Sequence, residues 1–191
     1  LAGLRLAGFA ALVIYSNLPS LETLTDYRPK IPLRIYSDEE LLIGEFGVER
    51  RNVVAISKVP THLKQAILAA EDDRFYEHGG IDYIGVLRAA YSNFSAGSVQ
   101  QGASTITMQV ARNFFLTRDK TFTRKLNEML LAFKIEQNLS KDKILELYIN
   151  QIYLGQRSYG FSAAAQTYFG KPLEEIDLAE AAVLAGLPKA P

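Results

Sequence analysis

From position 61 onward, apolar residues recur three and four positions apart, the spacing of helices with one buried side. The pattern predicts a first helix from Thr61, read as its N-cap, through Ala70, with Leu63, Ile67 and Leu68 facing inward. Further helices are expected at about 82–95, 104–115, 121–138, 140–149, 160–168 and 177–186, punctuated by Gly97, Gly102, Gly155, Gly160, Gly170 and Gly186. Within 121–138, Leu126, Met129, Leu130 and Phe133 make the expected core stripe. Upstream, Leu33–Tyr36 and Leu41–Phe46 flank the polar turn Ser37–Glu40, which predicts a small hairpin extended by Asn52–Ile56. Residues 19–32 carry Pro19, Pro29 and Pro32 among polar positions and read as a linker. The first 15 residues are apolar except for Arg5. A full crossing takes about 20 apolar residues, and the chain begins with leucine, so it reads as cut from a longer protein. The exit end of a membrane anchor is the preferred reading, over a signal sequence or a core helix. The expectation is a mainly α chain: an anchor stub at 1–18, a linker and hairpin region at 19–60 and a helical domain at 61–191.

Composition narrows this. At 191 residues, 48% hydrophobic and 22% charged, the chain can bury a real core and does not look disordered. A net charge of zero argues against a nucleic-acid partner. The charge is uneven, however: Arg112, Arg118, Lys120, Arg124 and Lys125 face the single acid Asp119 between positions 112 and 125. A local anion site fits that run better than a polyanion-binding surface. Absence of cysteine excludes disulfides and thiolate metal sites. With only His62 and His78 available, a histidine-built metal site is not expected.

Two carboxylates bracket the cation-rich stretch. Glu71 ends an apolar helix beside Ala69 and Ala70, where partial desolvation makes a carboxylate a better base; a solvated helix-end acid is the plain alternative. The loop that follows brings Asp72, Phe75, His78 and Gly79 together, and His78 is expected to hydrogen-bond that loop. Glu128 lies one turn after Arg124, an arrangement that also suits an ordinary i,i+4 ion pair. Ser104, Thr105 and Gln109 open a helix whose free N–H groups favour an anion, with Ser104 as the expected cap. Phe114, Phe115 and Leu116 suit either core packing or a lipid contact. Ser140 and Lys143 match an S-x-x-K pattern, but no companion element accompanies them and Ser140 reads as a helix cap.

Five blocks in order carry a resemblance: Glu71-Asp72-Asp73-Arg74-Phe75-Tyr76-Glu77-His78-Gly79, Gly102-Ala103-Ser104-Thr105-Ile106-Thr107-Met108-Gln109, Arg124-Lys125-Leu126-Asn127-Glu128, Lys143 through Asn150, and Ala179 through Pro188. Together they resemble the glycosyltransferase domain of class A penicillin-binding proteins, glycosyltransferase family 51, over about residues 20–191. One departure is Met108, where the family usually has the first of two glutamines; Gln109 keeps the second. The resemblance implies a lysozyme-like helical fold with a smaller, mobile, membrane-proximal jaw. It implies polymerisation of lipid II into β-1,4-linked glycan strands, with inversion and release of undecaprenyl diphosphate. By position, Glu71 corresponds to the general base and Glu128 to the second catalytic carboxylate. Arg112, Lys120, Arg124 and Lys125 correspond to diphosphate and sugar sites, and Asp72, Phe75, His78, Ser104, Thr105 and Gln109 to substrate-contacting positions. Glu128 either orients the cations or helps bind a divalent ion (Mg or Mn) at the diphosphate. The expected partners are lipid II, the growing glycan strand, membrane lipid and cell-wall assembly proteins. The expected location is the outer, periplasmic side of the cytoplasmic membrane, on a single-pass anchor. A lysozyme-like lytic enzyme and a silent cell-wall scaffold are the competing readings.

Overall fold

The computed structural model describes residues 18–27, 32–97, 104–116 and 122–189, so the anchor reading falls, Leu18 apart, outside the described residues. Two compact units emerge: Leu1–Asp26 with Arg74–Ile144, and Tyr27–Asp73 with Leu145–Pro191. The chain is mainly α with a minor hairpin, as the periodicity predicts.

In the first unit, a single helical turn, α1 (Glu22–Thr25), buries Leu24 within the stretch read as a linker. The strands and the helix that follow α1 in sequence belong to the second unit. After them comes α3 (Tyr83–Ala96), which stops at Gly97 because that residue takes the left-handed conformation, φ 63°, which glycine adopts without strain. Helix α4 (Ile106–Phe115) packs on α5 (Phe122–Asn138). Their shared core is Ile81, Met108 and Ala132, with Met129 and Phe133 against it. Met108 is thus a packing residue, which accounts for an apolar side chain at the position where the resemblance expects glutamine. The α5 stripe differs from the expected one. Leu126 is 43% exposed, while Glu128, Leu131, Ala132 and Ile135 are fully buried at helical spacing. Helix α6 (Lys141–Gln151) starts in this unit, and Ser140 Oγ accepts from Lys143 N at 3.3 Å, the capping role expected of it.

In the second unit, β1 (Leu33–Tyr36) and β2 (Leu42–Phe46) form the predicted hairpin, Leu33 opposite Phe46 and Ile35 opposite Gly44. Asn52–Ile56 does not extend it. Instead β3 (Arg50–Arg51) pairs in parallel with β4 (Ser158–Tyr159) in a separate sheet. Asn150 explains why the strand ends: its side-chain amide accepts from Val54 N at 2.9 Å and donates to Val54 O at 2.8 Å, taking the bonds a neighbouring strand would make. Buried Arg51 donates to Tyr27 Oη, the Asn150 carbonyl and Gln151 Oε1 at 2.8, 2.9 and 2.6 Å.

Helix α2 (Thr61–Glu71) buries Leu63 and Ile67 as expected, with Leu68 half-buried. Pro60, not Thr61, occupies the N-cap, and no side chain caps the helix. Proline serves there because its carbonyl accepts from Leu63 N and Lys64 N, which needs no N–H of its own. Helix α7 (Phe161–Phe169) buries Phe161 through Ala165 behind Gly160, where a Cβ would lie 2.9 Å from the Asn150 carbonyl oxygen. Helix α8 (Leu178–Gly186) packs on α2, buries Ala181, Leu184 and Ala185, and opens with a reciprocal capping box between Asp177 and Glu180.

Candidate active site

The third resemblance block folds into a charge cluster on α5. Glu128 occupies a core position of the helix and is fully buried. Its Oε2 accepts from Lys125 Nζ at 3.0 Å, and its Oε1 lies 3.2 Å from Arg124 Nε, a charge contact off the hydrogen-bond direction. Lys125 also donates to Ser104 Oγ at 2.7 Å. The expected i,i+4 pair with Arg124 is thus present, but as a buried one, and a charge this deeply desolvated is tolerable only beside its counter-ions. Ser104 does not cap α4. Thr105 does, accepting from Met108 N at 3.2 Å, which leaves the Ser104 hydroxyl for the ammonium.

Thr105 binds in two directions. Its Oγ1 also donates to the Gly80 carbonyl at 2.6 Å, fastening the end of the Phe75–Gly80 turn to the start of α4. Phe75 is buried, with the rings of Tyr76 and His78 edge-on to it. His78 joins the loop network through its main-chain oxygen, which accepts from Lys141. Arg74 closes the turn by pairing with Asp82 at 3.1 Å and Glu77 at 2.9 Å. Gln109 lies buried one turn after Thr105 on α4, and Arg112 is half-buried in that helix's last turn. Phe114, Phe115 and Leu116 are half-buried. Lys120 and Arg118 lie outside the described residues. Glu71, the last residue of α2, is half-buried and Asp72 is buried; both belong to the second unit.

The pairing of Tyr76 with Asp142 was not legible in the sequence, because 66 residues separate them. The phenol donates to Asp142 Oδ1 at 2.9 Å. Partial burial first, then the hydrogen bond and charge of Asp142, push its pKa from 10.0 up to about 12. A raised phenol pKa stabilises the fold fully below the unfolded value and loses that contribution as pH climbs from about 10 to about 12. Tyr76→Phe should therefore remove a tyrosinate absorbance step near pH 12. It should also flatten the alkaline loss of stability, read by urea unfolding at pH 9 and 11; an unchanged late step would sink the assignment.

No three His, Asp or Glu side chains converge as metal ligands among the described residues. Two cations already face the Glu128 carboxylate. The described residues at that carboxylate thus supply cations and no cluster of anionic ligands.

A transglycosylase family model matches residues 39–191. The chain belongs to the transglycosylase family. It is the family the five blocks resemble, and membership makes the chain a peptidoglycan glycosyltransferase domain. The chain is 60% identical over 191 residues to penicillin-binding protein 1A of Neisseria flavescens, covering 100% of this chain and 24% of that protein. It is 51% identical over 182 residues to penicillin-binding protein 1A of Pseudomonas aeruginosa, covering 95% and 22% respectively. This transglycosylase domain therefore spans about a quarter of the length of these relatives. A crystal structure of penicillin-binding protein 1A from Haemophilus influenzae shares 31% identity, with 86% of this chain and 15% of that one covered and a TM-score of 0.41.

Proposed function

We propose that this domain polymerises lipid II into β-1,4-linked glycan, inverting the anomeric carbon and releasing undecaprenyl diphosphate. The observation that carries the reading is the buried Glu128 carboxylate holding Arg124 and Lys125 side by side, with Lys125 also tied to Ser104. A diphosphate leaving group gains negative charge as its bond to the anomeric carbon breaks, and preorganised cations stabilise that charge without reorganising. Hydrolysis of finished glycan has no comparable anion to hold, so the lytic alternative leaves the cluster unexplained. In the proposed step Glu71 accepts the proton of the acceptor sugar's 4-hydroxyl. The hydroxyl oxygen bonds to the donor's anomeric carbon as the carbon–oxygen bond to the diphosphate breaks.

A second feature supports a lipid-borne substrate. Helix α3 turns Tyr83, Ile84, Leu87, Tyr91 and Phe94 outward, each at least 60% exposed. A row of apolar and amphipathic rings on one helix suits contact with a membrane interface. Among the described residues no helix is long and apolar enough to cross a membrane. We assign α3 to contact with the membrane surface, on the outer side of the cytoplasmic membrane, with the growing strand leaving into the periplasm.

The deciding experiment supplies the protein in parallel with fluorescent lipid II and with finished, uncrosslinked glycan. Lengthening of the first and no shortening of the second is expected. Shortening of the glycan alone would replace the polymerase reading with the lytic one.

A further inference from the structure

We infer that Lys141 is a positioning residue for glycosyl transfer, one that clamps the Phe75–Gly80 turn through its ammonium; the inference rests on the polymerase reading. Lys141 is the first residue of α6, where the helix dipole disfavours a cation. Ser140 already caps that end, and Asp142 supplies the acid the dipole prefers. Helix formation therefore gives no reason for a lysine here, and its contacts do.

The Lys141 ammonium donates to the His78 carbonyl at 2.6 Å and to Glu136 Oε1 at 2.7 Å, and lies 4.4 Å from the centroid of the Phe75 ring. Its side chain is 20% exposed and that of Glu136 10%. The same Glu136 oxygen accepts from Thr107 Oγ1 at 2.6 Å, and Thr107 is fully buried in the first turn of α4. One ammonium therefore joins α4, α5, α6 and the turn. At the far end of the turn, Gly80 sits at φ 96°, where a Cβ would lie 3.1 Å from the Ala132 backbone, and its carbonyl takes the Thr105 hydroxyl. Ser104, the neighbour of Thr105, holds Lys125, which holds Glu128. The turn and the cation pair are thus anchored to the same end of α4.

A buried ion pair is a poor device for stability alone, since apolar side chains of similar volume often replace it without loss. What an apolar pair cannot do is hold the His78 carbonyl. The Phe75–His78 segment carries two of the positions expected to contact substrate. A misplacement of about 1 Å in a positioning element can cost about a hundredfold in rate.

The test compares full-length, membrane-anchored wild type with Lys141→Met, Lys141→Arg and the double variant Lys141→Met with Glu136→Met. Each is measured for kcat and KM on lipid II, for Tm, and for hydrogen exchange of the backbone amides of residues 76–80. Lys141→Met should lower both Tm and kcat. The double variant should recover part of the lost Tm, short of wild type because the Thr107 hydroxyl loses its acceptor, while kcat stays on the order of a hundredfold low, KM changes little and the turn amides exchange faster. Lys141→Arg, which keeps a donor for both oxygens, should restore part of kcat. Recovery of kcat together with Tm in the double variant would reduce Lys141 to a structural role and overturn the inference. Unchanged exchange in the turn would also overturn it. A wild type that fails to polymerise lipid II defeats the polymerase reading instead, and the exchange measurement still decides whether the clamp exists.

Discussion

Glu71→Gln is expected to lower lipid II polymerisation by about 10²–10⁴-fold, the usual contribution of a positioned general base, while leaving lipid II binding within about twofold. The glutamine amide keeps the volume and hydrogen-bonding capacity of the carboxyl but cannot accept the proton of the attacking hydroxyl. Glu71 is the last residue of α2, half-buried, with small, exposed Ala69 and Ala70 before it. It lies outside the apolar contacts of Leu63 and Ile67 that hold α2 in place. The substitution should therefore shift Tm by no more than about 2 °C, as expected for a change away from the core. Polymerisation at more than a tenth of the wild-type rate would remove Glu71 from the mechanism. A collapse of Tm would make the loss of activity uninformative, and Glu71→Asp, which keeps the charge on a shorter arm, then becomes the deciding variant.

Glu128→Ala should damage both folding and turnover, which separates it from Glu71. Removing the carboxylate strips Arg124 and Lys125 of their shared counter-ion. Breaking a buried pair costs about 3–5 kcal/mol. The lower end applies, about 3 kcal/mol, because Lys125 and Arg124 keep 40% and 19% side-chain exposure and can turn to water. For a chain of this size that amounts to a Tm loss on the order of 6–12 °C. Glu128→Gln also removes the charge but keeps the volume, so it opens no cavity. Its turnover should fall on the order of a hundredfold, comparable to losing one preorganised donor at a developing charge. Near-normal rates in Glu128→Gln would show that the carboxylate's charge does not organise the leaving-group site.

How far the sequence could be read is visible in α5. Its existence and limits follow from periodicity, yet the apolar pattern phases the stripe through Leu126 and not through Glu128. A polarity pattern always assigns a glutamate to solvent, so it fails where counter-ions hold a charge in the interior. The five blocks supplied what periodicity could not, and Glu128 in particular was found through its neighbours Arg124 and Lys125. The misassigned cap of α4 has a different cause. Ser104 and Thr105 are equally good caps in isolation, and only the distant Lys125 decides which hydroxyl is left for α4. Likewise the failure of Asn52–Ile56 to extend the hairpin depends on Asn150, nearly a hundred residues later. The β3–β4 pairing is two residues long on each side, too short to leave any alternation in the sequence. Lys141 and Tyr76 were hidden for the same reason: their partners meet only in three dimensions.

The membrane contact proposed for the outward-facing residues of α3 has a consequence for kinetics. An enzyme resting on a bilayer meets a substrate that diffuses laterally within the same sheet, so encounter frequency follows molecules per unit area and not per unit volume. Diluting the suspension at fixed lipid-to-substrate ratio then leaves initial velocity per enzyme unchanged, whereas adding empty lipid slows it. A catalyst of this kind is governed by how crowded its plane is.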